Sequence, residues 1–548
     1  MQNNITAELN IIDRTATDFS KMTCYEMLQA TCDKSASIYF EEHKLSMNRF
    51  LKHIDEFAIS LVELGFKKGE VLTIYLPTCP QALVAFYACS KLGVIANIVH
   101  PLIPLEQLKE NLKTTNSKGL MFYDILIKNH NKLNDCGQIQ IKCSIADYVF
   151  FRKPVFRLYI KLKSITDSKQ CLKYSDLVNF SKKHKSSIPQ ISYEATANDI
   201  VCTMHSGGTS GVPKIVELNN VAFNNLSVSL EKMYTRKNRE HEYCLVALPI
   251  FHAYGLGVSV HTGITNGYGL ILMPKFNPKG INANIKKHNV TMFAGVPIMF
   301  KKMMEQRNFY GKHLQKLRDL WCGGDVLTES FIEHFDTVLS KYKCPARLMR
   351  GYGLTEVASV CAVNTFENYK KNSCGKPIPG TQIEIWDEDE KRLKPNEIGE
   401  IAINSSSAMV SYIDNTGCVN KDGVKWIKTG DIGYMDKDGF LYVLDRKKRT
   451  IKINAINIFP TEIENLVKTI NYIDEVCAIP YHYNRKSYIR LFITKKQTTI
   501  NDDKIKKEIT SLCTKKLIKY AVPREIRIID EMPYTKLGKV DYKTLERM

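Results

Sequence analysis

The alternation of helical and strand-like hydrophobic patterns near the amino terminus restricts the fold more than any other feature of the sequence. Apolar residues between 46 and 64 recur at helical spacing, and Gly65 ends the pattern. Continuous apolar runs at 71–76 and 94–99 are typical of buried strands, and a second helical pattern at 82–92 separates them. Strand–helix–strand alternation predicts a doubly wound parallel sheet, so the expected fold class is α/β.

The length of 548 residues predicts more than one domain, because single cores stop growing at about 250–300 residues. Three short strand patterns with turn residues between them predict a β-rich subdomain: 381–386, 399–403 and 425–428. The carboxyl-terminal part has the pattern of a separate small α/β domain. Its first helix, at 459–467, has Pro460 at its start and Thr461 and Glu464 at the spacing of a capping box.

The cysteine pattern and the absence of targeting signals predict the compartment. The sixteen cysteines are scattered without a C-x-x-C pair, which indicates a reducing cytosol rather than a disulfide framework. The amino-terminal stretch lacks the basic and apolar regions of a signal peptide. No apolar run approaches the ~18 residues of a membrane span. We therefore expect a cytoplasmic protein.

The net charge of 77 − 57 = +20 suits nucleic acid, a membrane surface or anionic ligands. The sequence contains no nucleic-acid-binding module and its lysines are spread along the chain, so we expect no nucleic-acid partner. A lysine-rich solvated surface, anionic ligands, an acidic carrier protein and anionic lipid all remain open. Residues 147–163 interleave aromatic side chains with Arg and Lys. This pattern fits either an element packed on the core or a patch that touches an anionic membrane.

Residues 204–214 form a stretch rich in glycine and hydroxyl side chains after a predicted strand. It contains Ser206, Gly207, Gly208, Thr209, Ser210 and Gly211, followed by Lys214. Glycines bring several backbone N–H groups close to one anion, and a lysine supplies the point charge that a polyphosphate needs. The stretch is not a Walker loop, because Val212 and Pro213 separate the last glycine from the lysine. Taken alone, it fits a phosphate-binding loop or an ordinary flexible loop.

Further motifs with chemical side chains follow in order along the chain. They are L-P-I-F-H-A-Y-G with His252, C-G-G-D with Gly324 and Asp325, R-G-Y-G-L-T-E with Gly351, Tyr352, Gly353, Thr355 and Glu356, W-I-K-T-G-D with Asp431, D-R with Arg446, and P-Y-T-K-L-G-K with Lys539. The histidine follows a predicted strand at 243–249, where doubly wound folds keep their sites; beside aromatic rings, a buried core role is its alternative. In the R-G-Y-G-L-T-E motif, a flat ring suits a purine, a hydroxyl suits a phosphoryl oxygen and a carboxylate suits Mg²⁺; its alternative is a turn into a helix.

The loop and these motifs together resemble the signature motifs of the adenylate-forming superfamily, which includes acyl- and aryl-CoA synthetases, luciferases and the adenylation domains of peptide synthetases. The resemblance covers essentially the whole chain and implies an AMP-forming acyl-CoA synthetase that uses ATP, Mg²⁺ and coenzyme A. It implies a large domain at residues 1–446, built of doubly wound sheets and the β-rich subdomain. A small mobile lid domain would follow at residues 447–548, with a hinge at Lys448.

The resemblance also implies a role for each motif residue. The residues that would bind phosphates are Ser206, Gly207, Gly208, Thr209, Ser210, Gly211 and Lys214, and those that would surround the nucleotide are Gly324, Asp325, Gly351, Tyr352 and Gly353. Thr355 would contact the α-phosphate, Glu356 would hold Mg²⁺, and Asp431 and Arg446 would bind the ribose. His252 would line the acyl pocket, and Lys539 would be the catalytic lysine. In the implied reaction, a carboxylic acid and ATP form an acyl-adenylate and pyrophosphate. The thiol of coenzyme A then takes the acyl group.

Two departures from the family pattern and several alternatives accompany this assignment. Ala455 stands where the family usually has a glycine beside the pantetheine channel, and Ile215 stands where it has a glycine after the loop lysine. Transfer to an acyl carrier protein is the alternative to coenzyme A. Activation of an α-amino acid is disfavoured, because the His252 motif has no aspartate to pair with an ammonium group. The intact Glu356, Asp431 and Lys539 disfavour a non-catalytic nucleotide-binding homologue. We expect a medium- or long-chain fatty acid as substrate, although the sequence defines neither its length nor the oligomeric state.

Overall fold

The computed structural model describes residues 17–124, 138–148, 171–179, 194–206, 214–234, 241–453, 456–483, 486–496, 500–534 and 540–548. Contacts divide the chain into two compact units: Met1–Gln382 with Ile403–Ile427, and Ile383–Ala402 with Lys428–Met548. Several residues named by the sequence analysis lie outside the described residues: Gly207, Gly208, Thr209, Ser210, Gly211, Ala455, Lys539 and most of the 147–163 pattern. The predictions for these residues stay predictions.

Strands and helices alternate along most of the described chain. The strands are β1 (Ser37–Phe40), β2 (His43–Ser46), β3 (Val71–Tyr75), β4 (Ile95–Ile98), β5 (Ser117–Tyr123), β6 (Ile139–Cys143), β7 (Leu172–Lys173), β8 (Ile200–His205), β9 (Ile215–Asn219), β10 (Tyr243–Val246), β11 (Gly269–Leu272), β12 (Val290–Gly295), β13 (Asp319–Cys322), β14 (Leu348–Leu354), β15 (Ser359–Val363), β16 (Lys376–Pro377), β17 (Thr381–Trp386), β18 (Gly399–Ser405), β19 (Ser411–Tyr412), β20 (Val419–Lys421), β21 (Val424–Met435), β22 (Leu441–Arg446), β23 (Ile451–Ile453), β24 (Ile456–Ile458), β25 (Ile473–Tyr483), β26 (Lys486–Lys495) and β27 (Glu525–Ile528). The α-helices are α1 (Cys24–Thr31), α2 (Met47–Glu63), α3 (Pro80–Leu92), α4 (Leu105–Thr114), α5 (Tyr174–Leu177), α6 (Asn220–Glu231), α7 (Gly263–Thr265), α8 (Pro278–Lys287), α9 (Pro297–Met304), α10 (Glu329–Lys341), α11 (Pro460–Val467), α12 (Asp502–Lys516) and α13 (Tyr542–Arg547).

The first unit contains two large sheets, each parallel in its centre. In the described residues one sheet has the order β2-β1-β11-β10-β12-β13-β14-β15-β16, parallel from β1 to β14. The other has the order β7-β6-β5-β3-β4-β8-β9-β19, parallel from β7 to β8. In both, the chain adds strands on each side of an early strand, which confirms the predicted doubly wound α/β class. Antiparallel strands extend each sheet beyond its parallel part: β15 pairs with β14 in one sheet, and β9 and then β19 follow β8 in the other. The candidate site lies beside these strands.

Local sequence signals explain why the first helices form where they do. Ser46 caps α2 by accepting a hydrogen bond from the Arg49 N–H. Pro80 stands in the first turn of α3 and Gly93 follows its end with φ of 71°, a left-handed conformation that a glycine adopts without strain. Nearly every residue of α3 is buried, so this helix lies inside the unit. Among the described residues, every helix is too short or too polar to cross a membrane.

The second unit contains a smaller sheet with a helical layer. Strand β25 pairs antiparallel with β26, and β27 pairs parallel with β26. Its core is aliphatic and includes Ile463 and Val467 of α11, Leu491 of β26, and Ile505 and Ile509 of α12. The β-rich pattern predicted after residue 375 is also found, although β21 extends far beyond the predicted strand at 425–428. The predicted domain boundary at 446/447 lies within this unit and stays a prediction about the moving lid.

The predicted capping box at the start of α11 is wrong. Phe459 is the N-cap residue and makes no side-chain cap. The N–H of Thr461 instead donates to Oδ2 of Asp445 at 2.9 Å. Glu464 Oε1 accepts hydrogen bonds from Arg449 Nη2 at 2.7 Å and from the Ala478 N–H at 2.8 Å. A carboxylate distant in sequence therefore supplies the negative charge that a helix amino terminus favours, and Glu464 is left to pair with arginine.

Candidate active site

The glycine-rich stretch connects two antiparallel strands of the second large sheet. Strands β8 and β9 pair with His205 opposite Ile215. The Ser206 N–H donates to the Lys214 carbonyl oxygen at 2.9 Å, which extends the pairing by one step. Ser206 is buried and Lys214 is exposed. The two ends of the predicted phosphate loop are therefore held together at the sheet, with the lysine on the solvent side.

A buried polar network lies beneath this end of β8, and sequence reasoning did not identify it. Asn97 Nδ2 donates to Oδ1 of Asn111 at 2.7 Å and to Oγ1 of Thr73 at 2.8 Å, and Asn97 Oδ1 accepts from Thr203 Oγ1 at 3.0 Å. Asn111 Nδ2 then donates to His205 Nε2 at 3.1 Å. Burial lowers the pKa of His205, which keeps Nε2 available as an acceptor. The only signal in the sequence is an asparagine within an otherwise apolar strand.

The C-G-G-D and R-G-Y-G-L-T-E motifs lie side by side at one edge of the first large sheet. Cys322 of β13 is in register with Arg350 of β14. A Cβ added at Gly323 would lie 3.0 Å from the carbonyl oxygen of Gly351, so the two chain segments run close together beyond these residues. Asp325 is exposed, and its Oδ1 accepts from the Val326 N–H at 2.7 Å. The structure thus brings Gly324 and Asp325 to the same edge as Tyr352, whose side chain is half-buried.

The R-G-Y-G-L-T-E motif forms most of strand β14 and then a tight turn, rather than a turn into a helix. Strand β14 continues to Leu354 because β15 pairs with it antiparallel. A Cβ at Gly353 would lie 1.6 Å from the carbonyl oxygen of Ser359, so only glycine permits this pairing. A single 3₁₀ turn carries Thr355 and Glu356, and Ala358 ends it with φ of 55°. This left-handed alanine is the kind of local strain that accumulates at functional sites.

Glu356 and Lys214 both contact one aromatic residue, Tyr412. Glu356 is buried, and its Oε1 accepts from the Tyr412 hydroxyl at 2.9 Å. The Lys214 ammonium lies 4.2 Å from the centre of the Tyr412 ring, a contact worth roughly 0.5–2 kcal/mol. Burial and the charge of Glu356 raise the pKa of Tyr412. Sequence reasoning missed this tyrosine, because nothing in its local sequence relates it to a glutamate 56 residues away.

The donor set at Glu356 fits Mg²⁺ held partly by a nucleotide. Tyr412 uses Oε1, whereas Oε2 accepts no hydrogen bond from any described residue. The described chain also has no cluster of three or more His, Cys, Asp or Glu side chains that suits a metal ion. Mg²⁺ is commonly bound by one or two carboxylates together with substrate phosphates and water. A single buried carboxylate with one open oxygen meets that requirement.

His252 lies beyond the carboxyl end of β10, which pairs with β12 in the first sheet. Its ring is exposed and lies 4.9 Å from the ring of Phe251. Its carbonyl oxygen accepts from the N–H groups of Gly255 and Leu256 at the start of a π-helix, Tyr254–Thr262. The Tyr254 hydroxyl donates to the Trp321 carbonyl oxygen at 3.0 Å, which ties the motif to β13. The histidine therefore lies beyond the carboxyl end of an internal strand, with its ring exposed rather than in the core.

Asp431 and Arg446 form an ion pair in the second unit. Arg446 Nε lies 2.8 Å from Asp431 Oδ1, and the two residues are opposite each other on β21 and β22. The Asp431 side chain is 4% exposed, whereas that of Arg446 is 49% exposed. The Asp431 N–H also donates to Thr429 Oγ1 at 3.0 Å. The two residues that the sequence predicts to bind the ribose are therefore in contact. Asp431 is a buried acceptor, and Arg446 lies on the surface.

Comparisons with known proteins agree with this fold. Residues 25–413 match the AMP-binding enzyme family, and residues 462–539 match the AMP-binding enzyme C-terminal domain. The chain belongs to the AMP-binding enzyme family. Within that family it is of the AMP-forming acid–CoA ligase type, as the sequence motifs predict.

Three similar proteins illustrate the range of this type. The long-chain-fatty-acid–CoA ligase of Bacillus subtilis (strain 168) is 29% identical over 519 residues, which cover 93% of this chain and 90% of the relative. The anthranilate–CoA ligase AuaEII, solved with anthranoyl-AMP, has a TM-score of 0.81 at 18% identity over 97% of this chain and 98% of its own. The o-succinylbenzoate–CoA synthetase of Bacillus subtilis, solved with ATP and magnesium, has a TM-score of 0.75 at 22% identity over 96% of this chain and 100% of its own. At these identities the two solved structures bear on the fold alone.

Proposed function

We propose that the protein activates a medium- or long-chain fatty acid with ATP and transfers the acyl group to coenzyme A. The observation that carries the activation step is the arrangement of Lys214 and Glu356 around Tyr412, at the end of the hairpin that bears the glycine-rich loop. An ammonium group and an open carboxylate oxygen in one site suit a polyphosphate and its magnesium ion. The similarity to a long-chain-fatty-acid–CoA ligase over 93% of this chain supports a fatty acid.

In the first half-reaction, a carboxylate oxygen of the fatty acid attacks the α-phosphorus of ATP. The bond from that phosphorus to the β-phosphate bridging oxygen breaks, giving an acyl-adenylate and pyrophosphate. Lys214, which ends the glycine-rich stretch, offsets negative charge on the departing pyrophosphate. Glu356 would hold a Mg²⁺ ion, which would supply further positive charge to the phosphates. Thr355, one residue earlier in the same turn, donates its hydroxyl to the α-phosphate.

The remaining proposed roles concern orientation of the nucleotide and of the acid. Asp431 accepts hydrogen bonds from the ribose hydroxyls, and its ion pair with Arg446 keeps the carboxylate oriented. Tyr352 stacks on the adenine, and His252 lines the entrance to the acyl pocket. Lys539 bridges the acid carboxylate and the α-phosphate, where a point cation offsets two approaching anions.

In the second half-reaction, the thiol of coenzyme A loses its proton and its sulfur attacks the carbonyl carbon of the acyl-adenylate. The thioester forms and AMP leaves. The predicted hinge at Lys448 belongs to this step, as does Ala455, which stands where the family usually has a glycine. An acyl carrier protein is the alternative acceptor, since its phosphopantetheine carries the same thiol.

Pyrophosphate release measured across a panel of acids tests the proposed function. The panel contains acetate, saturated acids of increasing length, anthranilate and 4-coumarate, with coenzyme A and an acyl carrier protein compared as acceptors. Each buried CH₂ is worth about 0.8 kcal/mol, so kcat/KM is expected to rise several-fold per carbon until the pocket is full. Highest activity on acetate or on an aryl acid contradicts the fatty-acid assignment. If the acyl carrier protein is the better acceptor, it replaces coenzyme A in the proposed function.

A membrane contact and a cytosolic location are proposed on separate grounds. The pattern at 147–163 supports the first: replacing Arg152, Lys153, Arg157 and Lys161 with neutral residues is expected to reduce the use of acid bound to anionic vesicles more than the use of short soluble acids. If the variant uses acid bound to anionic vesicles as well as the wild type does, the proposed membrane contact is wrong. Fifteen cysteines in the described residues are free thiols, which supports a reducing compartment.

A further inference from the structure

The backbone around Tyr412 is fixed close to both of the charged residues that its side chain contacts. In strand β19, Tyr412 pairs with Val216 of β9, two residues after Lys214. The Ile413 N–H donates to the Ile215 carbonyl oxygen at 3.0 Å, and the Met409 N–H donates to the Glu356 carbonyl oxygen at 2.8 Å. The short segment 409–413 therefore connects the strand that leaves the glycine-rich loop to the turn that carries Glu356.

The side chain of Tyr412 is held as firmly as its backbone. The residue is 9% exposed, and its hydroxyl donates to Glu356 Oε1. Gly417, with φ of 99°, lies against the edge of the ring: a Cβ there would lie 2.4 Å from ring atom Cδ2. Only a glycine fits at this distance in this conformation. The ring therefore has little freedom to move away from its contacts with Lys214 and Glu356.

Each charged group of the candidate site is held by a different part of the tyrosine side chain. The Lys214 ammonium group rests on the ring face, and Glu356 is occupied at Oε1 by the hydroxyl. If Tyr412 were absent, the ammonium group would lose the surface on which it rests, and the carboxylate would lose the hydrogen bond that orients it.

We propose that Tyr412 is a positioning residue that holds both Lys214 and Glu356 in place, so that the lysine is presented to phosphate and the glutamate to a magnesium ion. This inference rests on the proposed function, since it assumes that the site takes a nucleoside triphosphate. The two parts of the side chain have different duties: the hydroxyl orients the metal-binding carboxylate, and the ring face supports the lysine ammonium group.

Equilibrium binding of ATP without any acid present separates these duties. Binding is measured by calorimetry in EDTA and then as a function of free Mg²⁺. Tyr412→Phe retains the ring, so its ATP affinity in EDTA is expected to stay within twofold of the wild type. Its midpoint for free Mg²⁺ is expected to rise about tenfold, because loss of a hydrogen bond to a metal-ligating carboxylate typically costs 10–100-fold in metal affinity. Tyr412→Leu also loses the ring and is expected to bind ATP about tenfold more weakly in EDTA.

A double-variant comparison shows whether the ring acts through the lysine. In a Lys214→Met background, Tyr412→Leu is expected to cause no further loss of ATP affinity in EDTA, whereas the effect of Tyr412→Phe on the Mg²⁺ midpoint persists. Tyr310→Phe is the matched control, since it deletes a hydroxyl that donates to the Met304 carbonyl oxygen elsewhere in the first unit; it is expected to bind ATP and Mg²⁺ as the wild type does.

Two results would overturn the inference. One is an unchanged Mg²⁺ midpoint in Tyr412→Phe, and the other is a full additional loss from Tyr412→Leu when Lys214 is already methionine. Thermal unfolding of each variant identifies any general loss of folding, and Tyr412→Phe is conservative enough to remain folded. Pyrophosphate release by the wild-type protein is measured in parallel. Its absence contradicts the proposed function, whereas normal release with either overturning result removes only the role of Tyr412.

Discussion

The polar network beneath the glycine-rich loop leads to a quantitative expectation for Asn97→Leu. Asn97 is fully buried, and its side chain joins Thr203 of β8 to Asn111 of α4. Leucine has nearly the same size but no polar atoms, so two buried groups lose their partners: the Thr203 hydroxyl and Asn111 Oδ1. Thr73 keeps its hydrogen bond to Ser117. Each orphaned group costs about 1–3 kcal/mol, so local stability is expected to fall by about 2–6 kcal/mol.

Hydrogen–deuterium exchange of peptides covering β4 and β8 measures this loss as a free energy of local opening, without assuming that the whole chain unfolds in one step. Thr203→Val alone orphans Asn97 Oδ1, but in the double variant the two apolar side chains face each other. The double variant is therefore expected to lose less than the sum of the single variants. Asn284→Leu is the matched control, because its amide donates only to the Gly280 carbonyl oxygen on a partly exposed helix.

The reasoning fails if Asn97→Leu changes the opening free energy by less than ~1 kcal/mol, or if the two single effects add fully. A loss confined to α4 would also contradict it, because Asn111 Nδ2 holds His205 and thereby the end of β8. Since His205 precedes Ser206 directly, weaker ATP binding is expected to accompany the loss of protection in β8. If β8 loses its protection against deuterium exchange but the ATP affinity stays unchanged, the polar network does not support ATP binding by the loop.

Three further predictions concern single residues. Lys539→Ala is expected to abolish adenylation but spare thioester formation from a supplied acyl-adenylate, since the lysine acts on charges present only in the first half-reaction; equal loss in both assays would contradict this role. Asp431→Ala is expected to raise the KM for ATP about ten- to a hundredfold, because loss of a hydrogen-bonded charged partner costs about 1.5–3 kcal/mol, and an unchanged KM with full turnover would exclude it from the site. Burial lowers the pKa of His261 to about 3, so its neutral ring contributes stability above pH ~6.5 that is lost as the pH falls towards 3; thermal unfolding of His261→Gln is expected to show a shallower acid dependence than the wild type.

The parts of the fold that sequence reasoning predicted are those with strong local signals. Every residue of β3 is buried, so its apolar run needed no knowledge of neighbours, and Pro80 and Gly93 mark both ends of α3. The continuation of β14 through Gly351 and Gly353 was missed, because glycine disfavours strands and only pairing with β15 holds it there. The capping box was wrong because the carboxylate that accepts from the first turn of α11 belongs to Asp445 on β22, which lies outside the local sequence of the helix.

The candidate site divides in a similar way. Motifs with several functional residues in succession, such as the turn with Thr355 and Glu356, were found because their chemistry is local. Tyr412 and the Asn97 network were not, because each acts through contacts between residues far apart in the chain. Sequence patterns identify which groups meet a ligand more readily than which groups hold those residues in place.

The second unit is assembled from two separate stretches of chain, and this decides how it can be exchanged or expressed alone. A fragment that begins at residue 447 omits Ile383–Ala402 and the whole of β22. It also removes Asp445, and with it the acceptor for the first N–H groups of α11 and one of the two acids around Arg449. A chimaera that takes this unit from a relative therefore requires two simultaneous segment replacements, with junctions inside β17, β18 and β21 rather than in a loop.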